Sequence, residues 1–369
     1  MPSKWIRKCL ERVENYRHQC AMSPLRPDRR ALLAGLLAAP FAVAQDSAKQ
    51  ATATTEHGGT AATVDGVSGA TVRQWLQQPI EPVKGTLSKG KIGNLEISRL
   101  IFGSNLIGGY AHSRDLIYVP ELFKAYNTEA KVFETLYRAE QAGINTMITP
   151  SFELPLIRKY HETTGGKIQT MVQVFERNGD FIPDIDQAME NGANTIYLHG
   201  GTVDQFVQAG KIDALHNAIR HIQENQYSAG IGGHSIKTPM ICEERGIGAD
   251  YYVKTCHHDR YWSAHPRENR VEFSIVGPNQ PDHNAYHDNI FDLFPEETVA
   301  FMGTVKKPWV GFKVLAGGAI HPKDGFEYAF RSGTDFICVG IFDFQIVEDV
   351  NIALDVLGEL KERTRPWYG

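Results

Sequence analysis

Three runs between residues 195 and 258 set the architecture: Thr195-Ile196-Tyr197-Leu198-His199, Ser228-Ala229-Gly230-Ile231-Gly232-Gly233-His234, and Tyr251-Tyr252-Val253-Lys254-Thr255-Cys256-His257-His258. Each is a short β-prone run that stops at or just before histidine, and the chain between them carries helical spacing. Working outward, five more runs of the same kind occur: Ser98–Gly103, Asn145–Thr149, Ile168–Phe175, Trp309–Leu315 and Phe336–Ile341. Helices fit between them at Glu129–Ala142, ending at Gly143, at Lys211–Asn225, and at Lys323–Arg331, ending near Gly333. A last helix, Val347–Arg363, lines Val347, Val350, Leu354 and Leu357 along one face at steps of three and four. Eight strands in βα alternation predict an α/β fold, a (β/α)8 TIM barrel, as one domain over residues 85–369. An open sheet of six or seven strands is the alternative.

The 369 residues are 42% hydrophobic and 22% charged, with a net charge of −5. That composition excludes a wholly disordered chain and disfavours nucleic-acid binding through bulk charge. The average hides a split. Residues 1–30 hold eight Lys/Arg and three acids, leaving 30 bases and 40 acids in the other 339. Arg29-Arg30 is followed by a 14-residue apolar run, Ala31 to Ala44, too short to span a bilayer comfortably and closing on the small-x-small pattern Ala42-Val43-Ala44. The paired arginines resemble a twin-arginine export signal. Residues 1–44 are therefore expected to be a removable signal, and the protein to be periplasmic or extracellular with no stable membrane span after processing. A buried N-terminal helix is the other reading. The Ala-, Thr- and Gly-rich stretch after it makes 45–84 a flexible leader. Cys242, Cys256 and Cys338 would remain, too few and too scattered for a disulfide framework.

The strands also carry a family resemblance. Gly93–Asn105 resembles the first strand of aldo/keto reductases, Ala142-Gly143-Ile144-Asn145 their approach to strand two, and Tyr197-Leu198-His199 the end of strand four. Gly230–Ser235 resembles their strand five, and Phe312-Lys313-Val314-Leu315-Ala316-Gly317-Gly318 their strand seven. The likeness spans about residues 90–357 in the right order. It implies an NADP(H)-dependent reductase using Tyr, Lys, Asp and His. Residue by residue, that implication fails. The Asp falls on Ile148, the Tyr on Glu153 and the Lys near Gln173; only His199 matches. The pair that holds the nicotinamide falls on Gly232-Gly233, and the residues near the adenosine phosphate on Ile346 and Val350.

Active sites of such barrels lie at the C-terminal strand ends. There His199, His234 and His257, with His287 from the following loop, form a candidate set for a divalent metal, since three neutral imidazoles leave a position open for water. Ordinary core or substrate-binding histidines are the competing reading. His199 could also polarise a carbonyl directly, and Glu153, where the family's tyrosine falls, is a further catalytic candidate. Lys254 and Lys313, inside strands six and seven, could serve as base or Schiff-base amine, or simply form ion pairs. Gly317-Gly318 could cradle an anionic cofactor through backbone amides, or only permit a turn. Long loops at 110–128 and 259–289 overhang the same face. Asn105, Glu176, His258, Tyr261, Trp262 and His283 are the expected substrate contacts.

These features predict an exported barrel enzyme for a small polar carbonyl or carbohydrate-like substrate, acting through the histidines with or without a metal. The alternatives are a divergent NADP(H) oxidoreductase and a non-catalytic binding protein.

Overall fold

In the computed structural model, the described residues are 71, 80, 82–112, 116, 118–273 and 291–369. The expected signal, most of the leader, His283 and His287 lie outside them. The chain enters through an antiparallel hairpin, β1 (Lys89–Ile92) and β2 (Leu95–Ser98), turning at Gly93, whose φ is +56°. Then β3 (Leu100–Gly103) leads to α1 (Tyr118–Tyr126) and α2 (Glu129–Gln141). The alternation continues with β4 (Thr146–Pro150), α3 (Leu154–Thr164), β5 (Gln169–Val174), α4 (Ile182–Glu190) and β6 (Thr195–Leu198). Next come α5 (Gly200–Gln208), α6 (Ile212–Glu224), β7 (Ala229–Gly233), α7 (Lys237–Glu244) and β8 (Tyr251–Thr255). The last elements are α8 (Pro295–Met302), β9 (Trp309–Phe312), α9 (Pro322–Arg331), β10 (Phe336–Val339) and α10 (Ile346–Glu359).

Strands β3 to β10 pair in parallel and in order, and β10 closes onto β3, so the sheet is the eight-stranded barrel read from the sequence. Helices cover its outside with their apolar faces. Phe133 and Leu136 of α2, Ile219 and Ile222 of α6, and Phe326 and Phe330 of α9 are all fully buried; burial of each such side chain stabilises by about 1.5–3 kcal/mol. Inside, Ile101, Ile148, Met171, Tyr197, Tyr251, Val253, Val310 and Phe336 fill the bore.

The hairpin lies where the sequence reading placed only the edge of a strand. Ile92 and Ile97 belong to the bore cluster, so the hairpin stoppers the N-terminal end of the barrel. Polar contacts fasten it: Ser98 N donates to Asn145 Oδ1 (2.8 Å), and Gln169 Nε2 donates to Glu96 O (2.8 Å). A buried ionic clasp sits at the same end. Asp335 takes hydrogen bonds from Arg365, from Trp309 N (2.9 Å) and from Tyr368 N (2.7 Å).

One boundary difference matters for chemistry. The seventh barrel strand, read as Trp309–Leu315, ends at Phe312. Lys313 has φ +55°, a left-handed conformation that costs a non-glycine residue about 1–3 kcal/mol and gathers at functional sites. Ala316 follows at φ +48°. The ladder stops, and Lys313 leaves it at the barrel mouth.

Candidate active site

The strand ends bring His199 (after β6), His234 (after β7) and Lys313 (after β9) to the C-terminal mouth, and the loop after β3 adds His112. His112, His199 and Lys313 are half-buried and His234 is buried. Lys313 Nζ hydrogen-bonds His112 Nε2, which also accepts from Asn105 Nδ2 (3.0 Å). With donors on that side, Nε2 is the bare nitrogen of a neutral ring. Lys313 Nζ also lies 4.1 Å from the centre of the Phe291 ring. That ring is a shared wall, with His112 at 4.9 Å and His234 at 6.2 Å between centroids. Among the described residues no carboxylate pairs with the Lys313 ammonium.

Electrostatics follow from that enclosure. Burial pushes the Lys313 amine down to about 7, offset slightly by Cys338. Burial, then His234 and Lys313, push His199 down to about 3. Burial, then Lys313 and His234, hold His112 well below the ordinary histidine value. Burial also lowers His234, against the pull of Asp204. Lys313 thus disfavours charge on all three imidazoles and His234 disfavours it on the other two, so the three rings stay neutral.

The tautomers are set by partners. Thr202 N donates to His199 Nδ1 (3.4 Å), beside the Thr202 hydroxyl (3.1 Å), which leaves the proton on Nε2. His234 has the opposite arrangement: its Nδ1 donates to Asp204 Oδ2 (3.0 Å), which leaves Nε2 bare. Among the described residues neither Nε2 has a hydrogen-bond partner. One imidazole thus offers a donor and the other an acceptor. Glycines allow this closeness. A Cβ on Gly232 would stand 2.5 Å from Leu198 O and 2.6 Å from Gly200 N, so the backbones on either side of His199 and before His234 touch only because Gly232 has no side chain.

The remaining candidates are placed as follows. Glu153 is buried, accepts from Thr149 Oγ1 (2.8 Å), and burial raises its pKa; it pairs with none of the four. Lys254 is not in the mouth cluster: its amine is buried on Thr255 Oγ1 (2.6 Å) and Asp292 Oδ1 (3.4 Å), the ion-pair alternative. His257 Nε2 accepts from Phe291 N (3.0 Å) and Asp292 N (2.9 Å) while Nδ1 donates to His258 O (2.8 Å), so no ring nitrogen is left for a metal. His258 is likewise held, Nδ1 by Arg260 N (3.1 Å) and Nε2 by Asp324 (2.8 Å). Among the described residues no three His, Cys, Asp or Glu side chains converge as a metal site. In the Gly317-Gly318 turn, the Gly318 amide is used internally on Leu315 O (2.9 Å). Glu176 accepts from Gly179 N (2.5 Å) within its own turn, and Asn105 serves His112. Tyr261 packs near His257 and His258, while Trp262 is 98% exposed. The sequence reading did not put His112, Asp204 or Phe291 in the site. His112 had one legible signal, its place in the insertion after the first barrel strand.

No protein-family model matches the chain, and no curated protein matches it. Solved structures do. A provisionally assigned aldo-keto reductase from Pseudomonas aeruginosa aligns at 14% identity and TM-score 0.50, over 74% of this chain and 98% of that one. A second such structure from the same organism gives 15% and 0.48, over 74% and 99%. A provisionally assigned deoxyribose-phosphate aldolase from Coccidioides immitis gives 10% and 0.41, over 76% and 95%. The likeness is one of fold, an aldo-keto-reductase-like barrel.

At the positions where the sequence resemblance sets a nicotinamide cofactor, the residues do not fit one. Gly232 and Gly233 offer no side chain to its amide. Ile346 and Val350 are fully buried, so neither can reach a phosphate. Ile148 lies in the bore, and Gln173 accepts the Tyr197 hydroxyl (3.0 Å). No hydride step follows from this site.

Proposed function

We propose that the protein is an enzyme for small polar carbonyl or carbohydrate-like compounds, with the Lys313 amine as its nucleophile. The observation that carries this is a strained, half-buried lysine at a barrel mouth whose amine meets an imidazole and aromatic rings instead of a carboxylate. Such an amine is neutral often enough to attack. His112 Nε2 takes a proton from the ammonium. The free amine then adds to the carbonyl carbon. The His199 Nε2–H donates a hydrogen bond to the carbonyl oxygen, which takes back the proton held by His112 and a second from the attacking nitrogen and leaves as water as the C=N bond forms. Ammonium plus carbonyl thus becomes iminium plus water, with charge conserved. Metal assistance is not part of this reading, because His257 is taken up by backbone groups. We also read residues 1–44 as an export signal, to be tested by the N-terminus of the mature protein.

The test is reductive trapping. The protein is incubated with cyanoborohydride and, separately, pyruvate, hydroxyacetone, dihydroxyacetone or glyceraldehyde, then mapped by mass spectrometry. A reduced adduct at Lys313, absent in Lys313→Met, is expected. Adducts only at exposed lysines would sink the proposal.

A further inference from the structure

Asp204 lies on α5, one turn after His199, and is 7% exposed. Among the described residues it makes no ion pair with lysine or arginine. Both its oxygens are instead directed at the loop carrying His234. Oδ2 accepts from His234 N (2.9 Å) and from His234 Nδ1 (3.0 Å), and Oδ1 accepts from Thr238 Oγ1 (2.6 Å). Two of these hydrogen bonds fix the main chain, the ring orientation and the tautomer of His234, and the third holds the carboxylate in place for them. A ring that merely filled space would need none of this. The ring packs on Phe312 (5.2 Å between centroids) and faces Phe291, the two rings that also flank the Lys313 amine at 5.7 and 4.1 Å. The bare Nε2 is therefore held on the wall that an imine on Lys313 would share.

We propose that His234 is the base that removes a proton from the carbon next to that imine, with Asp204 as its positioning residue, so that the protein forms enamines and its substrates carry an α C–H. This rests on the Lys313 reading. In the step, the α C–H bond breaks and its electron pair forms the C=C bond of the enamine. The iminium π pair moves onto the Lys313 nitrogen, and the proton goes to His234 Nε2. Return of a proton to the same carbon regenerates the iminium, so no outside reactant is needed.

Exchange in D2O tests this directly. Hydroxyacetone is incubated with the full chain and the loss of its α C–H signals is followed by proton NMR, with cyanoborohydride trapping run in parallel. Wild type should exchange well above the solvent rate. His234→Gln should still trap hydroxyacetone at Lys313 while its exchange falls about 100-fold or more. Asp204→Asn should also trap, with exchange reduced about tenfold or more, and with the acidic limb of its pH profile moved to lower pH. The move follows because Asp204 raises His234, whereas Lys313 and Lys254 oppose its charge; His112 and His199, the other groups on this wall, stay neutral. Asp204→Glu should restore part of the exchange. Trapping without exchange in wild type, or undiminished exchange in His234→Gln, would overturn this proposal alone. No trapping in wild type would overturn the Lys313 reading and this one with it.

Discussion

Placing an acid beside the Lys313 amine should return it to ordinary lysine behaviour. In the native site the amine is held down to about 7 from 10.5, so at pH 7 about half of it is neutral, against about three parts in ten thousand for an ordinary lysine. Phe291 is the wall to change, since its ring centre is 4.1 Å from Nζ. A carboxylate introduced there by Phe291→Asp acts across about 4 Å, worth about 4 kcal/mol at an effective dielectric constant of about 20. That corresponds to about three pH units and carries the amine back to about 10. Competitive labelling with trace acetic anhydride across pH 5 to 11 reads this, with a lysine peptide in the same tube as standard. Lys313 should label with a midpoint near 7 in wild type and about three units higher in the variant, and trapping at pH 7 should fall several hundred-fold. A wild-type midpoint matching the peptide, or one that Phe291→Asp leaves in place, refutes the claim that enclosure makes this amine reactive.

The same lysine weakens the fold. Its folded value near 7 lies below the unfolded 10.5, so unfolding takes up a proton and stability should rise with pH across that window. Lys313→Met removes the slope and, halving the full penalty for contact with water at the mouth, should stabilise by about 2 kcal/mol at pH 7, or ~5 °C in a thermal melt. Asp335→Ala leaves Arg365 buried and unpaired and should cost about 3–5 kcal/mol in urea unfolding; a loss under 1 kcal/mol would show the clasp is ornamental. Gly232→Ala forces the strand ends apart, and should lower stability by about 1–3 kcal/mol and Lys313 trapping together. NADPH fluorescence titration should show no saturable binding; micromolar saturation would restore the oxidoreductase alternative.

The barrel was legible because its strands are flush apolar runs with helical spacing between them, and Thr195–Leu198 and Tyr251–Thr255 fall where the residues put them. The hairpin was not, because Lys89-Gly90-Lys91-Ile92 carries little β signal and acquires its role only by closing the barrel. Site residues divide in the same way. His199 and His234 could be located because strand ends converge in any such barrel. His257 and His258 share that placement and differ only in partners, which come from Phe291, Asp292 and Asp324. Lys254 and Lys313 were equivalent as letters; Asp292 arriving 38 residues later neutralises one, and the left-handed turn frees the other. Asp204 was hidden inside a helix whose register gives no hint that its acid turns toward the next strand.

The hairpin packs Ile92 and Ile97 against the side chains that fill the bore, so the N-terminal end of the barrel is solid core. It is tied there by bonds to Asn145 and Gln169, which lie at the starts of their strands, far from the ends that carry His199 and His234. One end of the barrel is thus given to holding the molecule together and the other to whatever it binds. Changes in the hairpin should move stability and leave the mouth as it is, so the two ends are free to vary separately.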